Sequence, residues 1–336
     1  MKISVLGAGT WGTALAILLA ENKHEVTIWS KLPKEIEDLI NNRSSIKNLP
    51  GAVLPDSVIC TANLEQALAE PEMIVMAVAS VFVRETAHNI SSMLPKGMII
   101  VNVAKGIEEA TLKTLTEVIE DEIPQAEVAV LSGPSHAEEV SRKIPTTIVA
   151  GADKKEVADK IQDVFMTDFF RVYTSPDVIG IELGGSLKNV IALAAGVLDG
   201  AGFGDNTKAA LMTRGIAEIS RLGMAMGGKY ETFAGLSGMG DLMVTCTSKH
   251  SRNRNAGVLI GQGKTAKEAM AEVNQVVEGV HSAKAAYLLG QKYQVELPIV
   301  EQVNKVLFEE KPVKEAIYDL LIREKTEEHS ALCWNK

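Results

Sequence analysis

Lys2-Ile-Ser-Val-Leu6, Gly7-Ala-Gly9-Thr-Trp-Gly12 and Glu25-Val-Thr-Ile-Trp29 decide the fold of this chain. The first and last segments are short β-type runs. Between them an apolar helical pattern runs on to Ala20. A lone G-x-G-x-x-G carries little information, because glycine is common. Set between a strand and a helix inside a βαβ unit of about 30 residues, it becomes a dinucleotide fingerprint. Gly7 makes the tight turn, Gly9 lets the backbone approach a pyrophosphate, and Gly12 lets helix and strand pack closely. The free N–H groups of the helix N-terminus then face the phosphates.

A second strand of this kind usually ends in an acid that binds the adenine ribose of NAD. Here it ends Trp29-Ser30-Lys31, with Lys34 close behind. A hydroxyl and cations replace the carboxylate, which favours a 2′-phosphate and hence NADP over NAD.

Outward from this unit the strand–helix alternation continues. Ser57–Thr61, Met73–Ala77, Met98–Val103, Glu127–Leu131, Thr146–Gly151 and Phe169–Thr174 read as strands, with helices between several of them. Asn41–Pro55 reads as irregular. Ligands in open α/β sheets bind beyond the carboxyl ends of the strands. Lys105, just past Val103, is therefore placed to meet an anion or the nicotinamide, or is simply a strand-end surface lysine. Ser132-Gly-Pro-Ser-His-Ala137 is a turn of small residues that offers N–H groups at a helix start. His136 there reads as a packing or capping residue rather than a base.

Beyond about Pro176 the strand signals fade and the pattern is helical. Leu187–Leu198 is apolar nearly all round, with a single cation, Lys188. A helix apolar on every side is buried. Its lysine must find a partner, reach water by snorkelling, or lose its proton. Gly184 and Gly185 leave room beside it. Further on, Gly235–Gly240 reads as a tight glycine-rich passage. Asp241 and Thr245 share a helical face if that segment is helical. Ser251, Arg252 and Asn253 form a hydrogen-bonding cluster, in which Arg252 can grip a phosphate bidentately.

Size and charge bound the reading. The chain has 336 residues, room for two domains, and a formal charge of −9. The negative charge argues against nucleic acid and against adhesion to anionic membranes. Three separated cysteines, Cys60, Cys246 and Cys333, show no metal-ligand spacing and suit free thiols in a reducing compartment. The apolar run Ala14–Ala20 is too short to span a bilayer. The expectation is a cytoplasmic protein, not embedded in a membrane, with no metal.

Taken in order, Gly7–Gly12, Val103–Gly106, Leu131–Ala137, Leu187–Val190, Gly204–Lys208, Gly238–Asp241 and Ser251–Arg254 resemble the bacterial NAD(P)-dependent sn-glycerol-3-phosphate dehydrogenases. The resemblance runs from Met1 to about Leu321. It implies a Rossmann-type N-terminal domain, an all-helical C-terminal domain, and reversible reduction of dihydroxyacetone phosphate to sn-glycerol 3-phosphate for glycerophospholipid synthesis. It implies Lys188 as catalytic acid/base, with Asp241 orienting or relaying. Lys105, Gly133, Ser135, Lys188, Asp241, Ser251, Arg252 and Asn253 would hold the substrate. Thr10, Trp11, Lys31, Lys105, Ala137, Arg252, Val276 and Glu278 would contact the cofactor, beside Gly7, Gly9 and Gly12 of the fingerprint. The expected division is 1–178 dinucleotide-binding, 179–325 helical and catalytic, and 326–336 a polar tail, in a homodimer. Two alternatives stay open here: another two-domain dehydrogenase of hydroxyacyl-CoA or phosphogluconate type, and a dinucleotide-sensing regulator that turns nothing over.

Overall fold

A computed structural model describes residues 1–44, 49–273, 276–325 and 327–328. The tail at 326–336, Cys333 included, lies outside them apart from Glu327 and Glu328. The strands are β1 (Lys2–Leu6), β2 (Glu25–Trp29), β3 (Ile59–Thr61), β4 (Met73–Met76), β5 (Ile99–Asn102), β6 (Glu127–Ser132), β7 (Thr146–Ala152) and β8 (Phe170–Ser175). They form one eight-stranded sheet in the order β3-β2-β1-β4-β5-β6-β7-β8. Its first six strands are parallel and follow the doubly wound dinucleotide-binding order, which reverses between β1 and β4.

Continuous apolar strands such as Met73–Met76 are buried because helices cover both faces. One face packs against Thr10–Glu21 and Lys155–Phe165. The other packs against Val83–Ile90 and Leu115–Glu122. Two features depart from plain alternation. β7 runs antiparallel to β6, since the segment between them makes only one helical turn, Ala137–Val140, and the chain doubles back. A helix spans Pro33–Asn42, where the sequence reading assigned none and began its irregular segment at Asn41. Only Ile36 and Leu39 of that helix are buried, so its apolar stripe is thin.

Helix Val178–Gly200 organises the second half. It starts at Val178, nine residues before the expected Leu187, behind Asp177, whose carboxylate caps Gly180 N at 3.0 Å and also accepts from Lys229 N at 2.9 Å. Its length and composition would let a helix cross a membrane, yet every residue from Gly180 to Leu198 is buried inside the protein. The helix Arg252–Gly261 crosses it at very short range. A Cβ on Gly196 would lie 2.0 Å from Arg254 O, and one on Gly257 2.0 Å from Leu193 O. This crossing fixes the start of the second helix over the Lys188 turn of the first.

Candidate active site

A cleft of about 990 Å³ opens at the carboxyl ends of the central strands, between the sheet and the helices. From the sheet side it is lined by Gly9, Thr10, Trp11, Lys105, Ser135 and Ala137. Lys188, Asp241, Ser251, Arg252 and Asn253 line it from the helical side, and Val276 and Glu278 close it further along.

The fingerprint glycines do different work. Gly7 has φ +120°, and a Cβ there would sit 2.6 Å from the Ala77 backbone. A Cβ on Gly12 would sit 2.0 Å from Gly7 O. Both are required by the fold. Among the described residues nothing lies within 4 Å of where a Cβ on Gly9 would be, and Gly9 caps the Thr10–Glu21 helix at the cleft wall. Packing does not explain that glycine, whereas close approach of a pyrophosphate does. The residues present fit a dinucleotide.

The centre of the cleft is a three-member charge cluster. Asp241 Oδ1 lies 2.9 Å from Lys188 Nζ, and Oδ2 lies 2.6 Å from Lys105 Nζ. Asp241 and Lys188 are 2 % and 4 % exposed. Lys188 also donates to Thr245 Oγ1 at 2.5 Å, and that hydroxyl donates to Asp241 O at 2.6 Å. Asp241 and Thr245 therefore share a face of the helix Asp241–Thr247, as their spacing suggested. That helix follows a π-helical turn, Leu236–Gly240, in which a Cβ on Gly238 would meet Phe233 O at 2.1 Å. Burial lowers the Lys188 pKa to about 8, against the opposing pull of Asp241 and with help from the Lys105 charge. Burial pushes Asp241 upward, but the two ammonium groups outweigh it and hold the carboxyl below its ordinary value.

Other expected residues surround this cluster. Gly133 O accepts from Lys105 Nζ at 3.1 Å and from Ser135 Oγ at 3.0 Å. Ser251 caps the Arg252–Gly261 helix by accepting from Arg254 N at 3.2 Å. The Asn253 side chain accepts from Gly279 N at 2.8 Å and donates to Asn189 Oδ1 at 2.9 Å, tying three helices together. Arg254 is held by Asp199 at 2.6 Å, while Arg252 is exposed on the cleft wall. Glu278 accepts from Ser80 Oγ at 2.6 Å across the cleft. Burial raises its pKa, against the Ser80 hydrogen bonds and the nearby His281 and Arg252 charges. Lys31 is not on the cleft wall. Its ammonium pairs with Glu85 at 2.5 Å, and both side chains are more than half exposed.

Sequence reading passed over Glu182 and took His136 for a packing or capping residue. Glu182 is a buried carboxylate on the same largely apolar helix as Lys188, a signal of the kind that drew attention to that lysine. His136 lines the cleft with its buried Nε2 unpartnered among the described residues; burial lowers its pKa, and the Lys188 charge lowers it further.

A dinucleotide cleft that meets a buried lysine–carboxylate pair defines a nicotinamide-dependent oxidoreductase of the two-domain type. The chain belongs to the NAD-dependent glycerol-3-phosphate dehydrogenase family: the model of the family's N-terminus matches residues 2–158, and that of its C-terminus matches 177–318. A glycerol-3-phosphate dehydrogenase (NAD(P)+) of Agathobacter rectalis is 58% identical over 333 residues, 99% of each chain. One from Fusobacterium nucleatum is 57% identical over 327 residues, 97% of this chain and 98% of that one. The crystal structure of glycerol-3-phosphate dehydrogenase from Coxiella burnetii superposes with a TM-score of 0.93 at 35% identity, covering 96% of this chain and 99% of that one.

Proposed function

We propose that this protein interconverts dihydroxyacetone phosphate and sn-glycerol 3-phosphate with NAD(P)H, and that Lys188 carries the proton. The observation that carries the reading is Asp241 shared between Lys188 and Lys105, at the point where the dinucleotide cleft ends. The nicotinamide, when bound, supplies or accepts the hydride. The chain supplies position and the proton.

Burial lowers the Lys188 pKa to about 8, which brings it near the working range of a general acid. In ketone reduction its ammonium donates to the carbonyl oxygen; in alcohol oxidation the neutral amine takes that proton back. Asp241 stays ionised beside two cations, so it orients Lys188 rather than relaying a proton. Thr245 fixes the second N–H of the ammonium, leaving the third for substrate. Lys105, Arg252 and the N–H groups at the start of the Arg252–Gly261 helix face the phosphate ester, with Gly133, Ser135, Ser251 and Asn253 shaping that wall. Thr10, Trp11, Ala137, Val276 and Glu278 contact the dinucleotide. Lys31 reads a 2′-phosphate, which favours NADP.

The product suits glycerophospholipid synthesis in the cytoplasm. The division falls at 178, where β8 gives way to the Lys188 helix. The assembly is a homodimer, for which exposed Tyr318, Leu321 and Ile322 offer an apolar face. The test is direct: purified protein should oxidise NADPH and NADH when given dihydroxyacetone phosphate, and reduce the oxidised cofactors when given sn-glycerol 3-phosphate. Turnover with acetoacetyl-CoA or a phosphogluconate and none with the triose would overturn the substrate.

A further inference from the structure

Lys105 sits in a bend after β5 and has no rigid element of its own, yet its ammonium is aimed at Asp241 Oδ2. What aims it comes from the neighbouring helix. Glu182, 5 % exposed, accepts from Asn102 Nδ2 at 3.0 Å, from Thr116 N at 3.0 Å and from Thr116 Oγ1. Asn102 in turn clamps the bend: its Oδ1 accepts from Ala104 N at 3.1 Å and its Nδ2 donates to Ala104 O at 3.2 Å. One helical turn past Glu182, Ser186 Oγ donates to Gly106 O at 3.0 Å. Between these two anchors lies Gly185. A Cβ there would meet Ser132 Oγ at 2.7 Å and the Lys105 Cδ at 3.7 Å, so the Lys105 stem passes over it.

We propose that Glu182 is a positioning residue: acting through Asn102, and paired with Ser186 on the far side of the bend, it brackets Lys105 and holds its ammonium on Asp241. The bracket and Lys188 lie on the same helix, so the two lysines keep a fixed separation. This rests on the reading of Lys105 and Lys188 as site residues, and it explains a buried carboxylate that the proton transfer itself does not use. A carboxylate suits the place because each of its oxygens accepts donors that an apolar side chain would strand. Asn102, Thr116 and Ser186 are all fully covered.

The consequence is read at Lys188. The charged groups facing it are Asp241 and Lys105, with Cys246 and His136 nearby. If the bracket fails and Lys105 swings away, Lys188 loses a like charge and keeps Asp241, so its titration moves to higher pH. Loss of the Glu182 charge alone, with Lys105 in place, would move it to lower pH. The sign separates positioning from a bare electrostatic effect.

The experiment is an NMR titration of Lys188 in the full-length protein labelled with 13C-lysine, a readout that does not need Lys188 to be catalytic. Glu182→Met should move the Lys188 midpoint up by about one unit, and the Lys105→Met shift should not add to it. Glu182→Gln, which keeps the shape and one acceptor oxygen but removes the charge, should hold Lys105 in place and therefore should not raise the midpoint. Ser186→Ala should give a smaller shift of the same sign, and it serves as the test if Glu182→Met does not fold. A folded Glu182→Met whose midpoint is unmoved or falls overturns the proposal, as does full additivity with Lys105→Met. Failure of the reaction assay with the Lys188 midpoint shifted as described would instead remove the functional reading and leave the bracket standing.

Discussion

Asp241 Oδ1 stands 2.9 Å from the ammonium of Lys188, and both side chains are buried at the floor of the cleft. A buried pair of this kind is weak evidence for stability, because desolvation offsets the Coulomb gain. Here the balance is visible in the lysine. Burial outweighs the carboxylate, and the Lys188 pKa falls to about 8. The site holds a cation under conditions that loosen its proton.

The first expectation concerns that cost. The Lys188 pKa is lowered from 10.5 to about 8 on folding. Between those values the unfolded chain binds more protons, so this group's contribution to stability rises with pH; below about 8 its full cost is present. Lys188→Met keeps the apolar stem and leaves Asp241 paired with Lys105. Its Tm at pH 7 should equal or exceed that of the parent, and its advantage should shrink toward pH 10. A variant that melts several degrees lower would mean the pair is net stabilising.

The fingerprint glycines give a second, paired expectation. Gly12→Ala places a Cβ 2.0 Å from Gly7 O, so it should cost about 1–3 kcal/mol of stability by overpacking. Gly9→Ala meets nothing within 4 Å and should fold normally, yet weaken dinucleotide binding. Thermal melts and tryptophan-fluorescence titration with NADPH check both. Normal NADPH affinity in Gly9→Ala would show that no phosphate approaches that backbone.

The proposed reading puts cofactor choice on Lys31. Lys31→Asp should raise the KM for NADPH more than that for NADH. Glu85→Gln, which frees the Lys31 ammonium, should favour NADPH. An exposed ion pair is worth about 0–1 kcal/mol, so the gain should stay within about fivefold. Equal changes for the two cofactors would remove Lys31 from 2′-phosphate recognition.

The proposed reading gives phosphate recognition to Arg252, since Arg254 is already engaged by Asp199. The guanidinium fork matches a phosphate where an ammonium offers only a point charge. Arg252→Lys should raise the KM for sn-glycerol 3-phosphate by tenfold or more, as loss of a charged hydrogen bond worth about 1.5–3 kcal/mol requires, and leave plain glycerol, a poor substrate, little changed. An unaltered KM would pass the phosphate to Lys105.

Much of this arrangement was legible in the chain. The fingerprint lay in the strand–helix context that gives it meaning, and a lone lysine in an apolar helix marked the cleft centre. Asp241 and Thr245 were readable because helical spacing is local. What was hidden depends on partners far apart in sequence. Nothing near Ser80 announces Glu278, and nothing near Asn102 announces Glu182. The reversed β7 was invisible because composition carries no strand direction. The close helix crossing had a signal that went unread: Gly196 with Gly200, and Gly257 with Gly261, at one-turn spacing.

The central claim is that Lys188 transfers the proton, and the most direct measurement is the pH dependence of kcat for the parent and for Lys188→Met. In the parent, oxidation of sn-glycerol 3-phosphate needs the neutral amine, so its rate should rise with pH through about 8; reduction of dihydroxyacetone phosphate needs the ammonium and should fall over the same range. Lys188→Met should fold, bind NADPH, lose about 10²–10⁴ in kcat, and lose that pH dependence. A Lys188→Met enzyme with parental kcat and an unchanged pH profile would contradict the account.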